Sequence, residues 1–147
     1  MITMSPPPEP DVCSVLRRAL DEARPPGVLS VYLFGSHASG RAHRESDVDV
    51  AILLDRAHYP TRAARFEARL RLSGWLAGKL RPHPVDVVIL NDAPATLGRR
   101  IVAAGQRVAC TDEVADHAFV RDVQLRAADL EPFLRRTRRL KLAALAR

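Results

Sequence analysis

Three groups of residues in this chain have types and spacings suited to chemistry together. Gly35-Ser36 ends an apolar run. Asp47 and Asp49 follow after ten intervening residues, with one residue between them. Asp86 interrupts a later apolar run, "VDVVIL". Residues two apart on a strand share a face, so Asp47 and Asp49 project together while Val48, Val50, Ile52 and Leu54 project the other way. Asp86 likewise shares a face with Val88 and Leu90, and stands beside the pair if the two strands are neighbours. Clustered carboxylates repel one another, and burying an unpaired charge is costly. A divalent cation removes that cost, and Mg²⁺ favours one or two carboxylates together with substrate phosphates. The Gly-Ser turn supplies the complementary part. Gly lets a phosphate approach the backbone, a helix opening there presents free N–H groups at its positive end, and the Ser hydroxyl adds a donor. A phosphate cradle beside metal-binding carboxylates is the equipment of phosphoryl or nucleotidyl transfer.

The elements that must hold these residues are legible in the patterning. "DVCSVLRRALDEA" (11–23) carries Val12, Val15, Leu16, Ala19, Leu20 and Ala23 on one helical stripe behind a plausible Asp11 cap. "VLSVYLF" (28–34) reads as a strand that stops at Gly35, with Ser36 capping a short helix to about Ala42. "DVDVAILL" (47–54) is the second strand. Residues 61–80 form an amphipathic helix with Phe66, Leu70, Ala77 and Leu80 on one side and Arg62, Arg65 and Arg69 sharing another face. Residues 85–90 form the third strand, 94–105 a helix with Pro at its start and Gly at its end, and 106–110 a fourth strand. Helical spacing resumes from about 112 to 145 through Phe119, Val123, Ala127 and Leu130, with a break or kink expected at Pro132. Strands alternating with helices predict an α/β (α+β) domain with a mixed central sheet of about four strands. Residues 1–10, with three consecutive prolines, read as a disordered lead-in to one domain over 11–147. That lead-in lacks the pattern of a signal peptide.

Composition agrees with a globular chain. Of 147 residues, 47% are apolar and only 5% aromatic, so the core must be aliphatic. No apolar run reaches the roughly 20 residues of a membrane helix, and a cytoplasmic location is expected. The net charge of +6 suits nucleotides, nucleic acid or an acidic protein face, or serves solubility alone. Cys13 and Cys110 lack partners at metal spacing and read as reduced, buried, small hydrophobes.

Gly35-Ser36, ten residues, then Asp47-x-Asp49 resembles the signature of the DNA polymerase β-like nucleotidyltransferase superfamily. Asp86 in "PVDVVIL" fits the third carboxylate of that pattern. The short chain and "GRRIVAAGQRVAC", followed by a C-terminal helix, resemble the minimal nucleotidyltransferases, the MntA-like antitoxins of MNT/HEPN toxin–antitoxin pairs. The resemblance implies a nucleotidyltransferase fold that uses Mg²⁺ and ATP. It also implies transfer of AMP to a tyrosine of a cognate HEPN-family RNase toxin, which neutralises the toxin. By position, Asp47, Asp49 and Asp86 would be the metal ligands and catalytic carboxylates, with Asp86 helping to activate the attacking hydroxyl. Gly35 and Ser36 would hold the triphosphate. Many relatives carry arginines soon after the Gly-Ser pair. Here His37 and Ser39 stand there, with Arg41 and Arg44 slightly later, a difference that bears on phosphate affinity.

Other readings stand beside this one. A non-catalytic antitoxin would neutralise by binding alone. An aminoglycoside-type small-molecule nucleotidyltransferase would need an acceptor pocket for which the chain leaves little sequence. Direct nucleic-acid binding is not expected. Asp55 and Asp92 read as turn residues, Trp75 as a packing residue, and "RRTRRLK" (135–141) as a solvated helix end. None of the five histidines sits at triad or zinc spacing.

Overall fold

The computed structural model describes residues 11–42 and 46–146. The expected lead-in, Arg44 and Arg147 lie outside them. The elements run α1 (Val12–Glu22), β1 (Val28–Phe34), α2 (Ser36–Ser39), β2 (Val48–Leu54), α3 (Arg62–Lys79), β3 (Val85–Ile89), α4 (Ala95–Ala104), β4 (Gln106–Cys110) and α5 (Glu113–Leu145), with one 3₁₀ turn at Leu90–Asp92. This is the expected alternation. The sheet order is β3-β2-β1-β4. β1 is antiparallel to both β2 and β4, while β2 and β3 run parallel, so the sheet is mixed as expected.

Both faces of the sheet are covered. On one, Leu16 and Leu20 of α1 and Ala68, Leu72 and Leu76 of α3 pack on Val31, Leu33, Val48, Val50, Ile52 and Val87. On the other, Ile101 of α4 closes over Tyr32, Ala51 and Leu53, with Phe119 of α5 beside them. Each large aliphatic side chain fully withdrawn from water contributes about 1.5–3 kcal/mol. Two-sided burial explains why β2 is apolar except at Asp49.

Caps fix the helix starts. Asp11 accepts from the Ser14 amide, Thr61 from that of Ala64 and Asp112 from that of Ala115. Ser36 departs from expectation: Gly35 occupies the cap position of α2, no side chain caps it, and the helix ends at Ser39 before a left-handed Gly40. Pro132 neither breaks nor ends α5, which continues to Leu145. The Ala128 carbonyl that Pro132 leaves without an amide belongs to an exposed residue, where water can serve it.

The apolar face expected for α3 is also revised. Phe66 and Leu70 are exposed, and the face turned inward is Arg65, Ala68, Leu72 and Leu76. Arg65 can sit inward because its guanidinium is fully engaged. It donates to both carboxylate oxygens of Asp92 at 2.9 and 3.0 Å and to the Tyr59 carbonyl at 3.0 Å. Asp92 is therefore one half of a bidentate pair rather than a simple turn residue. Asp55 does serve its turn, accepting from the Ala57 amide. Cys13 and Cys110 are free but only half-buried.

Candidate active site

The parallel register of β2 and β3 sets Asp49 directly beside Asp86, and neighbouring strands lie about 4.8 Å apart. Asp47 immediately precedes β2 and is exposed. Its charge, like that of Asp86, acts on Asp49. The three carboxylates expected from the sequence therefore occupy one corner of the sheet, on the face that also carries Ala51, Leu53 and Val88. Their opposite neighbours Val48, Val50 and Val87 anchor the strands in the aliphatic core. The Asp49 carboxyl is held above its ordinary range, first by burial and then by the charges of Asp86 and Asp47, while His37 works in the other direction.

Gly35 adjoins the same corner. Its backbone adopts φ 73° and ψ −152°, a region essentially reserved for glycine. A Cβ there would coincide with the Asp49 carboxylate. Gly35 thus lets the chain turn into α2 and lets a carboxylate lie flush against that turn. Ser36 and His37 head α2, where amides have no carbonyl in a preceding helical turn.

A cleft of about 500 Å³ opens beside this turn, lined by Gly35, Ser36, Arg41, Leu97, Arg100 and Ile101 among others. Its two arginines are suited to phosphate oxygens. Arg41 was visible as a late substitute for the arginines usual after Gly-Ser. Arg100 was missed, because only folding brings α4 over the turn.

A second groove of about 280 Å³ lies on the far side of Leu97, between α3 and β3. Arg62, Phe66, Arg69, Val88 and Pro94 line it. Arg69 donates from Nε to the Val87 carbonyl at 2.8 Å and brings Nη2 to 3.9 Å from Asp86 Oδ1. The shared face of Arg62, Arg65 and Arg69 was legible in sequence; its direction, toward β3 and Asp92, was not.

His37 Nε2 lies 3.2 Å from the Ser46 carbonyl, and its ring meets that of His83 edge-on at 5.2 Å.

The donor set at the corner is carboxylate oxygen, which suits a hard cation such as Mg²⁺. Burial of Asp49 beside the charges of Asp86 and Asp47 is the electrostatic condition that such a cation relieves. A different cluster gathers Cys110, Glu113 and Asp116 within 4.8 Å of one another. Arg107 already bridges both carboxylates there, at 2.8 and 2.9 Å, and the Tyr32 hydroxyl donates to Asp116 at 2.7 Å. That cluster is a satisfied ion-pair network, and it is invisible in the sequence because its members come from β1, β4 and α5.

Comparison with known proteins points the same way as the geometry. The family model "Polymerase beta, Nucleotidyltransferase" matches residues 20–114. The protein adenylyltransferase MntA of Shewanella oneidensis is 34% identical over 83 residues, covering 56% of this chain and 55% of that protein. The chain thus matches along about half the length of that relative. Among solved structures, a toxin–antitoxin crystal structure with AMP-PNP superposes with a TM-score of 0.60 at 25% identity, over 92% of this chain and 99% of the other. A complex of tri-AMPylated Shewanella oneidensis HEPN toxin with MNT antitoxin shares the fold, with a TM-score of 0.53 at 22% identity over 92% and 96% of the two chains.

Proposed function

This chain belongs to the polymerase beta nucleotidyltransferase family, and from that premise we propose that it is a Mg-ATP-dependent protein adenylyltransferase that acts as an antitoxin. It transfers AMP to a tyrosine of a cognate HEPN-family RNase toxin, and the modification neutralises the toxin. Residues 11–147 act as one catalytic unit, in the cytoplasm. The observation that carries this reading is the pairing of Asp49 with Asp86 across two strands, with Gly35 flush against the same carboxylate. The likeness to MntA and to a toxin–antitoxin complex holding an ATP analogue supports the choice of donor and acceptor.

In this reading Gly35 and Ser36 receive the triphosphate, and Arg41 and Arg100 offset its charge from the cleft wall. Asp47, Asp49 and Asp86 would hold Mg²⁺, which supplies Lewis-acid stabilisation of charge at the α-phosphate. The acceptor hydroxyl oxygen bonds to the α-phosphorus as the bond to the bridging oxygen breaks, and pyrophosphate leaves. Asp86, at the edge of the corner, takes the hydroxyl proton. Arg69 stands next to Asp86 and steadies its carboxylate.

The test is label transfer. α-Labelled ATP and Mg²⁺ are mixed with a candidate cognate HEPN-family protein, with an Asp47→Asn/Asp49→Asn control. Label on the partner with wild type alone is the expected result. A stable complex without label would overturn the catalytic reading in favour of neutralisation by binding.

A further inference from the structure

Helix α5 has 33 residues, a length of about 50 Å. Its first half is anchored. Val123 and Ala127 are buried, with half-buried Phe119 beside them. The same helical stripe then continues through Leu130, Phe133, Leu134, Thr137 and Leu140 at i, i+3, i+4, i+7 spacing, but among the described residues nothing covers it. Leu130 is 44% exposed, Phe133 65% and Leu140 64%. A contiguous apolar stripe of this kind on a helix surface marks an interaction site.

Charge identifies the occupant. After Glu131 the chain carries six basic residues, Arg135, Arg136, Arg138, Arg139, Lys141 and Arg147, and no acidic one. They account for the whole net charge of +6, leaving 17 basic and 17 acidic residues in the rest. Among the described residues, the one carboxylate paired with this run is that of Glu131, which meets Arg135 at 2.7 Å. Arg136 and Arg138 flank the stripe. A second copy of this segment laid along it would set arginines against arginines. An RNA backbone would suit the arginines but leave Phe133 and Leu140 in water.

We infer that the distal half of α5 is the docking face for a different protein, one that presents an apolar helix face or groove rimmed by carboxylates. This rests on the reading above only in naming the HEPN-family protein as that partner. Apolar contacts at Phe133 and Leu140 hold the complex, and the arginines select and steer an acidic surface toward it.

The experiment measures complex formation without nucleotide, by calorimetry and sedimentation at low and high salt, between the full chain and a candidate cognate HEPN-family protein. Phe133→Ser/Leu140→Ser should weaken binding at least about tenfold at both salts, with an unchanged melting temperature, because both side chains are exposed. Arg136→Glu/Arg138→Glu should weaken it mainly at low salt and flatten its salt dependence. Wild-type affinity in both variants would overturn the inference, as would absence of any complex with the wild-type chain. A shift from dimer to monomer in the serine variant alone would assign the face to a second copy. RNA retention lost only in the charge variant would assign it to nucleic acid. Because binding is read without transfer, a complex that forms through this face but takes no label leaves the inference standing while the catalytic reading fails.

Discussion

Gly35 has no room for a side chain because the Asp49 carboxylate fills the place of its Cβ. Backbone turn and carboxylate are thus mutually fitted. Gly35→Ala must displace Asp49 and also adopt a backbone region that costs a residue with a Cβ about 1–3 kcal/mol. The expected outcome is a loss of nucleotidyl transfer of at least about tenfold, since a 1 Å misplacement at a reacting centre can cost far more. Thermal denaturation should show a drop of a few degrees, about 2–4 °C per kcal/mol for a chain of this size. Full activity with an unchanged melting point would contradict the fit.

Asp49 offers a test of the metal corner without any turnover. Its carboxyl is held above the ordinary range by burial and by Asp86 and Asp47. A carboxylate raised in the folded state favours folding while protonated and loses that contribution as pH rises through its folded value. At neutral pH the metal-free protein therefore carries a repulsion that Asp49→Asn removes. The variant should melt higher than wild type in chelator, and the difference should vanish in acid. Added Mg²⁺ should raise the wild-type melting temperature and leave the variant nearly unmoved.

The Arg65–Asp92 pair predicts the opposite pH sign. Arg65 holds the Asp92 carboxyl below its ordinary value of 3.8. That contribution is present above the unfolded value and is lost as pH falls through the lower folded one. Asp92→Asn removes the charge partner of Arg65, a residue only 6% exposed, and should cost about 3 kcal/mol at neutral pH. Urea unfolding across the acid range should show the gap narrowing below about pH 4.

Arg107 makes a comparable prediction on the far face. It bridges Glu113 and Asp116, and Asp116 is 1% exposed. Arg107→Met leaves Asp116 with the Tyr32 hydroxyl alone, at a cost of about 2–3 kcal/mol once the partial exposure of Arg107 is allowed for. Adding Asp116→Asn should recover part of that loss, and a double-mutant cycle measures the coupling.

The sequence disclosed the fold through alternation. Strand period and helix period were unmistakable where one face was apolar, and β4 and α4 lie where their turn residues and patterning put them. It also pointed to the grouping of Gly35, Asp47, Asp49 and Asp86, because carboxylates in an apolar strand need a reason, and the fold brings them to one corner. What escaped it depends on tertiary approach. Phe66 and Leu70 look like core residues by hydrophobicity, but α3 turns Arg65, Ala68, Leu72 and Leu76 inward, and Arg65 is accommodated there by Asp92, 27 residues away. Arg100 meets Ser36 across a cleft only because α4 packs beside the turn. Pro132 reads as a break or kink, yet a solvated turn tolerates its missing amide and the helix runs on.

The bond from Arg69 to the Val87 carbonyl has a consequence outside catalysis. β3 is the outermost strand on its side of the sheet, and a bare outer strand is a template on which another chain can add and begin to aggregate. Arg69 caps a carbonyl of that strand with a charged group while its other end attends Asp86. One side chain thus guards a strand edge and stands beside the carboxylate corner, so Arg69→Ala should raise the tendency to aggregate and alter the surroundings of Asp86 together.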